Sequence, residues 1–254
     1  MEINEFFEQG EEHYLPDLSV DLVVVGYQDS SLKCLLLKLG KKWLLPGGFI
    51  QLNESVNDAA ARVLMERTHL EDPHLKFLAV FGAADRNFGN EFNDFFQEKG
   101  ISQHKHSWFN RRFVTLAFYS LVDIKITFPQ IGNFDEDFCW FDFDALPEMW
   151  MDHKSIVTEA RNKLKNDIKQ EQITYNLLPK VFTMPELHQL HELILEEKID
   201  RSRFQKKMLA SGRFLRLPMI QKETPGRNPY QYRILEKDKG QSTKNKGQRT
   251  KDKG

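Results

Sequence analysis

Cysteine is scarce. The two in 254 residues, Cys34 and Cys139, sit in apolar runs far apart in sequence, which excludes a disulfide framework and a four-ligand zinc site and leaves both expected as buried hydrophobes. No apolar run approaches the roughly 18–20 residues that span a bilayer. The N-terminal stretch MEINEFFEQGEE is acidic where a secretory signal is basic, so a cytoplasmic chain without membrane association is expected. Internal repeats and heptad arrays are missing too. Net charge is almost absent: 36 Lys and Arg stand against 37 Asp and Glu, leaving −1. Taken as a whole-chain average, that value argues against a polyanionic partner.

The average conceals two opposed halves. Met1 to His153 holds 13 basic and 25 acidic residues, or −12, whereas Lys154 to Gly254 holds 23 and 12, or +11. Such asymmetry points to a polyanion-binding region joined to something else. The stretch from Glu236 onward accounts for only +4 of the excess, with seven Lys and Arg against three acids. Low in apolar residues, residues 237–254 are expected to be a disordered basic tail.

Short Val/Leu-rich runs at Leu18–Tyr27 and Leu32–Lys38, separated by Gln28-Asp29-Ser30-Ser31, read as two strands and a turn. After Trp43-Leu44-Leu45, Pro46-Gly47-Gly48 is expected to end a strand. Asn57–Thr68 carries Ala60, Val63 and Leu64 with no Gly or Pro and reads as a helix. The stretch Asp85–Asn110 exceeds ordinary loop length and is expected to hold a short helix near Glu91–Lys99 or to move on binding. Strands follow at Arg112–Ile126 and Phe138–Phe143. Beyond Pro147, Ile156, Ala160, Leu164 and Ile168 recur every four residues, the stripe of a long amphipathic helix. The expected domains are residues 1–150, residues 151–236 and the tail 237–254.

Gly48, Glu54, Arg62, Leu64, Glu66 and Leu70, preceded by Leu45-Pro46-Gly47, keep the spacing G-x5-E-x7-R-E-U-x-E-E-x-G-U. The segment resembles the Nudix box, whose helix-borne carboxylates hold magnesium against a substrate pyrophosphate. Three acids on one helix face serve that purpose in the pattern, and here those positions are Val63, Glu66 and Arg67. A cation at Arg67 repels a divalent metal. The pattern's last glycine is His69, which tolerates the left-handed conformation at some cost. Without its metal the fold keeps a concave pocket suited to a sugar or nucleotide. Asp85, Arg86, Arg111 and Arg112, at strand ends, are the candidate effector-binding residues. No catalytic residue, metal or cofactor is expected, and Arg62 with Glu66 is expected to form an i,i+4 pair.

In the basic half, Thr183-Met184-Pro185-Glu186 is a capping box that starts a helix striped by Leu187, Leu190 and Ile194. Asp200 is an N-cap for a second helix ending before Gly212. Phe204, Met208 and Leu209 should face one way and Arg203, Lys206, Lys207 and Ala210 the other. Ser202 and Arg203 lie at the end from which a recognition helix reaches base edges. Phe214–Gln221 and Tyr230–Leu235 then read as strands flanking a Pro/Gly turn. Together these make a winged helix, with Arg227 and Asn228 at the wing tip and Arg213 and Lys222 near the phosphate backbone.

The whole chain resembles the bacterial Nudix-related transcriptional regulators over roughly residues 10–235, including Tyr14-Leu15-Pro16 near the start. The family holds repressors of NAD metabolism that sense ADP-ribose derivatives and pentose-utilisation regulators that sense sugars. The resemblance implies an α+β chain: an N-terminal Nudix-like α/β/α sandwich with a mixed sheet, then a C-terminal winged helix-turn-helix domain. It also implies a homodimer on double-stranded operator DNA and a small-molecule effector, whether a sugar, a sugar phosphate or an ADP-ribose-like nucleotide. The rival reading is an active pyrophosphohydrolase acting on ADP-ribose-like substrates.

Overall fold

The computed structural model describes residues 5–6, 9–70, 74–87, 89–98, 100, 108, 111–132, 135–171, 173–220 and 228–235. The expected tail, Lys222 and Arg227 therefore lie outside the described residues. β1 (Tyr14–Gln28) and β2 (Ser31–Leu39) form a hairpin, followed by β3 (Lys42–Leu44), β4 (Gly47–Gln51) and α1 (Val56–Thr68). β5 (His74–Phe81), α2 (Gly89–Glu98), β6 (Val114–Leu121) and β7 (Asp137–Asp142) follow. The sheet runs β3-β2-β1-β6-β5, with β4 on β1 and β7 on β2. It is mixed, because β1 and β6 pair in parallel while the hairpins are antiparallel.

Strand alternation divides the core. Val20, Leu22 and Val24 of β1 point towards Ala59, Ala60, Val63 and Leu64 of α1, whereas Val23 and Val25 face the opposite layer. That second layer is α3 (His153–Gln170), whose Ile156, Val157, Ala160, Leu164 and Ile168 cover the sheet. The core does not break near residue 150. It continues through Leu187, Leu190 and Ile194 of α4 (Met184–Leu195) to Phe204 and Met208 of α5 (Arg201–Ala210) and to Tyr232. The helix read as opening the C-terminal half thus packs as the far layer of the sandwich.

Beyond α3 a 3-10 turn, Thr174–Leu177, precedes β8 (Phe182–Thr183), α4, α5, β9 (Phe214–Met219) and β10 (Tyr230–Ile234). The wing has three strands, β8-β10-β9, rather than the expected two. Phe182-Thr183 pairs with Gln231 and Tyr232 immediately before α4 begins. The capping box is formed in both directions: the Glu186 carboxylate accepts from the Thr183 N–H at 2.6 Å and the Thr183 hydroxyl from the Glu186 N–H at 3.4 Å. Asp200 caps α5 by accepting from the Arg203 N–H at 2.7 Å, and Gly212 closes it with φ +67°.

β3 ends at Leu44, as the Pro46-Gly47-Gly48 break predicts, and Gly47 and Gly48 then open β4, pairing with Asp21 and Val20 of β1. Close approach explains both glycines. A Cβ on Gly48 would lie 2.8 Å from Val63 Cγ2, and one on Gly47 would strike Asp21 Oδ1. β6 stops at Leu121, and Ile124–Ile126 is a 3-10 turn rather than a continuation of the strand read over Arg112–Ile126.

Candidate functional site: a cationic cavity and a basic helix

The Nudix-box residues form an arginine-centred clamp. Arg62 donates to Glu54 through Nε at 2.9 Å and Nη2 at 2.6 Å, to the Phe49 carbonyl at 2.8 Å, and to Glu66 Oε1 at 3.2 Å. Glu54 also accepts from the Gln51 N–H at 2.7 Å, so the β4–α1 turn is tied to the helix. The Arg62 hydrogen bonds hold the Glu54 carboxyl below its usual range.

A magnesium ion does not fit what remains. Val63, at one of the three acid positions, is 1% exposed in the α1 core and packs on Gly48. Arg67, at another, pairs at 2.6 Å with Asp135, whose carboxylate also accepts from the Gly132 N–H at 2.8 Å. Glu66 is the one remaining acid and lies beside the Arg62 guanidinium. Among the described residues no cluster of three or more His, Cys, Asp or Glu is placed to hold a metal. His69 adopts φ +56° and its N–H caps Met65, so it occupies the left-handed position of the pattern's glycine.

Arg67 faces a cavity of about 200 Å³ against the β1–β4 pair. Two of the four effector candidates line it, Arg86 and Arg111; Asp85 and Arg112 are exposed and do not. Arg86 is 4% exposed, with Nε 2.9 Å from Asp152, Nη1 2.9 Å from the Phe113 carbonyl, and Nη2 3.7 Å from Asp21. Arg111 reaches Glu11 at 2.5 Å and Asp17 at 2.9 Å. Phe6, Phe49, Phe92 and Phe113 supply apolar wall. Behind them Trp108 and Trp150 lock the aromatic cluster, donating to the Phe6 and Leu39 carbonyls at 2.9 Å each. Three cations, aromatic faces and two acids suit a ligand that is part anion and part ring.

Asp21, His153 and Asp135 escaped the sequence reading. Asp21 left a trace, an acid inside the run Val20-Asp21-Leu22-Val23, where a buried strand face should be apolar. His153 left none, because it reaches the cavity only when the N-terminus of α3 docks.

On α5, Phe204 and Met208 are buried while Ser202, Arg203, Lys206 and Lys207 are exposed. Among the described residues no acid pairs with those three cations. Leu209, expected on the inward face, is 41% exposed. Arg213 is partly buried with its guanidinium 6.0 Å over the Tyr175 ring, and Asn228 is partly buried at the foot of β10. A cation not singled out from the sequence, Arg216 of β9, stacks 4.6 Å over Tyr230.

Residues 17–160 match the model of the NUDIX domain. The chain belongs to the NUDIX family. Behind its NUDIX domain, residues 174–234 match the model of the NrtR DNA-binding winged helix domain. A protein of Acinetobacter baylyi named ADPR responsive transcriptional repressor NtrR is 27% identical over 206 residues, 78% of this chain and 74% of that protein. Shewanella oneidensis NrtR, solved in complex with a 27mer DNA, superposes with a TM-score of 0.65 at 24% identity, covering 86% of this chain and 93% of that one. A MutT/nudix family protein from Enterococcus faecalis gives a TM-score of 0.62 at 21% identity, over 92% and 94% of the two chains. This architecture, a NUDIX sandwich followed by a winged helix, is therefore that of solved proteins along nearly its full length. No helix among the described residues is long and apolar enough to cross a membrane.

Proposed function

We propose that the chain is an ADP-ribose-responsive repressor: a homodimer in the cytoplasm that binds double-stranded operator DNA through α5 and the wing, and whose NUDIX domain senses its effector without hydrolysing it. The regulated genes serve NAD-related or sugar metabolism. One observation carries the sensor reading. The face that would present magnesium ligands presents Val63 in the core and Arg67 in an ion pair, over a cavity that adds Arg86 and Arg111. Cations that repel a metal attract the pyrophosphate the metal would have bound. The relative from Acinetobacter, named for its response to ADPR, supplies the ligand to try first.

On the DNA side, the −12 half repels phosphate and the +11 half attracts it, so the duplex lies against the winged helices and away from the sensors. Ser202 and Arg203 reach base edges, Lys206, Lys207 and Arg213 neutralise phosphates, and Lys222, Arg227 and Asn228 belong to the wing contact. Fluorescence anisotropy on duplex DNA bearing a candidate operator, with and without ADP-ribose, tests the scheme. Salt-dependent binding that ADP-ribose alters supports it. Magnesium-dependent turnover of ADP-ribose at ordinary enzyme rates, abolished by Glu66→Ala, overturns the sensor-only reading.

A further inference from the structure

The cavity arginines all have carboxylate partners within 3 Å, but two other polar groups on its wall do not. Asp21 is 7% exposed, and its nearest cationic neighbours, Arg86 Nη2 and His153 Nε2, both stand at 3.7 Å, beyond hydrogen-bonding range. His153 is 1% exposed, and its Nδ1 accepts the Leu45 N–H at 2.9 Å. That bond requires a bare Nδ1, so the neutral ring carries its proton on Nε2. Burial keeps the ring neutral by lowering its pKa against the opposing pull of Asp21. The buried Nε2 has no hydrogen-bond partner. The large majority of buried side-chain polar atoms have a hydrogen-bond partner. An open donor and an under-bonded acceptor side by side on a cavity wall therefore mark where a ligand supplies the missing partner.

Resting on the sensor reading above, we propose that Asp21 and His153 together read a hydroxyl group on the sugar of the effector. The hydroxyl donates to the Asp21 carboxylate and accepts from the His153 Nε2–H. Few neutral groups do both from one atom. A phosphate oxygen would accept from His153 but be repelled by the carboxylate beside it, and an ammonium would suit Asp21 but meet the N–H head-on. The class so selected is a phosphorylated sugar, its anion on the arginines and a hydroxyl in the Asp21–His153 fork.

Calorimetric titration of the full chain with ADP-ribose, using three variants, tests the assignment. His153→Asn keeps an acceptor for Leu45 and loses the Nε2 donor, while His153→Gln places an amide at the Nε2 position and gives up Leu45. The expected result is that His153→Asn binds about 5- to 10-fold more weakly, the loss of one net hydrogen bond. His153→Gln should stay within about threefold of the parent although it melts at a lower temperature. Asp21→Asn, isosteric and uncharged, should weaken binding. Tighter binding by Asp21→Asn would mean that the fork faces an anion, and would overturn the proposal. So would weaker binding by Gln than by Asn, which would make His153 a purely structural residue, or unchanged affinity in His153→Asn. If the parent chain binds no ADP-ribose, the effector reading falls and the fork assignment with it; if the parent binds and only the variants disobey, the fork alone falls.

Discussion

Acid should loosen the C-terminal half through His191. This α4 residue is 5% exposed, its Nε2 lies 2.7 Å from the Thr174 hydroxyl, and the Phe204 ring of α5 packs against it at 4.8 Å. Burial, with lesser contributions from Lys207 and His188, lowers its pKa to about 4. The unfolded chain returns it to about 6.5, so between those values the unfolded state holds a proton the folded state refuses. Stability from this group is therefore complete above pH 6.5 and lost as pH falls. At about 1.4 kcal/mol per pKa unit the full loss is about 3 kcal/mol, of which about 2 kcal/mol is gone by pH 5. That is a large share of the 5–15 kcal/mol typical of a domain. His191→Gln can still bond Thr174 but does not titrate. Urea denaturation of both proteins from pH 8 to pH 5 should show the parent losing about 2 kcal/mol more than the variant. Parallel curves would place the proton uptake elsewhere and refute the argument. Because Phe204 touches the same ring, duplex DNA affinity should weaken over that interval in the parent more than in the variant.

Arg86→Met should cost about 3–5 kcal/mol in thermal or chemical denaturation, since it strands Asp152 and Asp21 beside the cavity with one cation fewer. Leu164→Ala, a fully buried change in the core shared by sheet and winged helix, should cost about 2–5 kcal/mol and lower the unfolding transition of both halves together. A transition moved in only one half would show that the shared core does not couple them. Charge reversal at Lys206 or Lys207 should weaken binding to all duplexes and reduce the salt slope by about one, whereas Arg203→Ala should relax sequence choice; mobility assays across salt and operator variants separate the two behaviours.

The elements were legible where local chemistry dictates them. Thr183 and Glu186 announce a helix start by spacing alone, and Asp200 and Gly212 bracket α5 because caps satisfy the helix's own orphan groups. The break before Gly47 and Gly48 was legible, but that these glycines open β4 was not, because that role depends on β1 and Val63, which approach only after the sheet forms. Leu209 misled because a 100° step gives the face a residue lies on but not how much of it a neighbour covers. Arg86 and Arg111 converge on the cavity while Asp85 and Arg112, their immediate chain neighbours, do not. Alternation along a chain decides such differences only once the strand or turn is placed.

Sequence by itself determined the two halves and their opposite charges, the Nudix-box spacing, the substitutions Val63 and Arg67, and the capped helices of the winged domain. Each is a property of residue type and interval, and neither changes on folding. Tertiary structure decided that α3 closes the sandwich and joins the two cores, that Arg67 turns to Asp135, and that Asp21 meets His153 across 132 positions of sequence. Those are contacts between distant segments, fixed by which apolar faces must be buried together, and no local pattern encodes them.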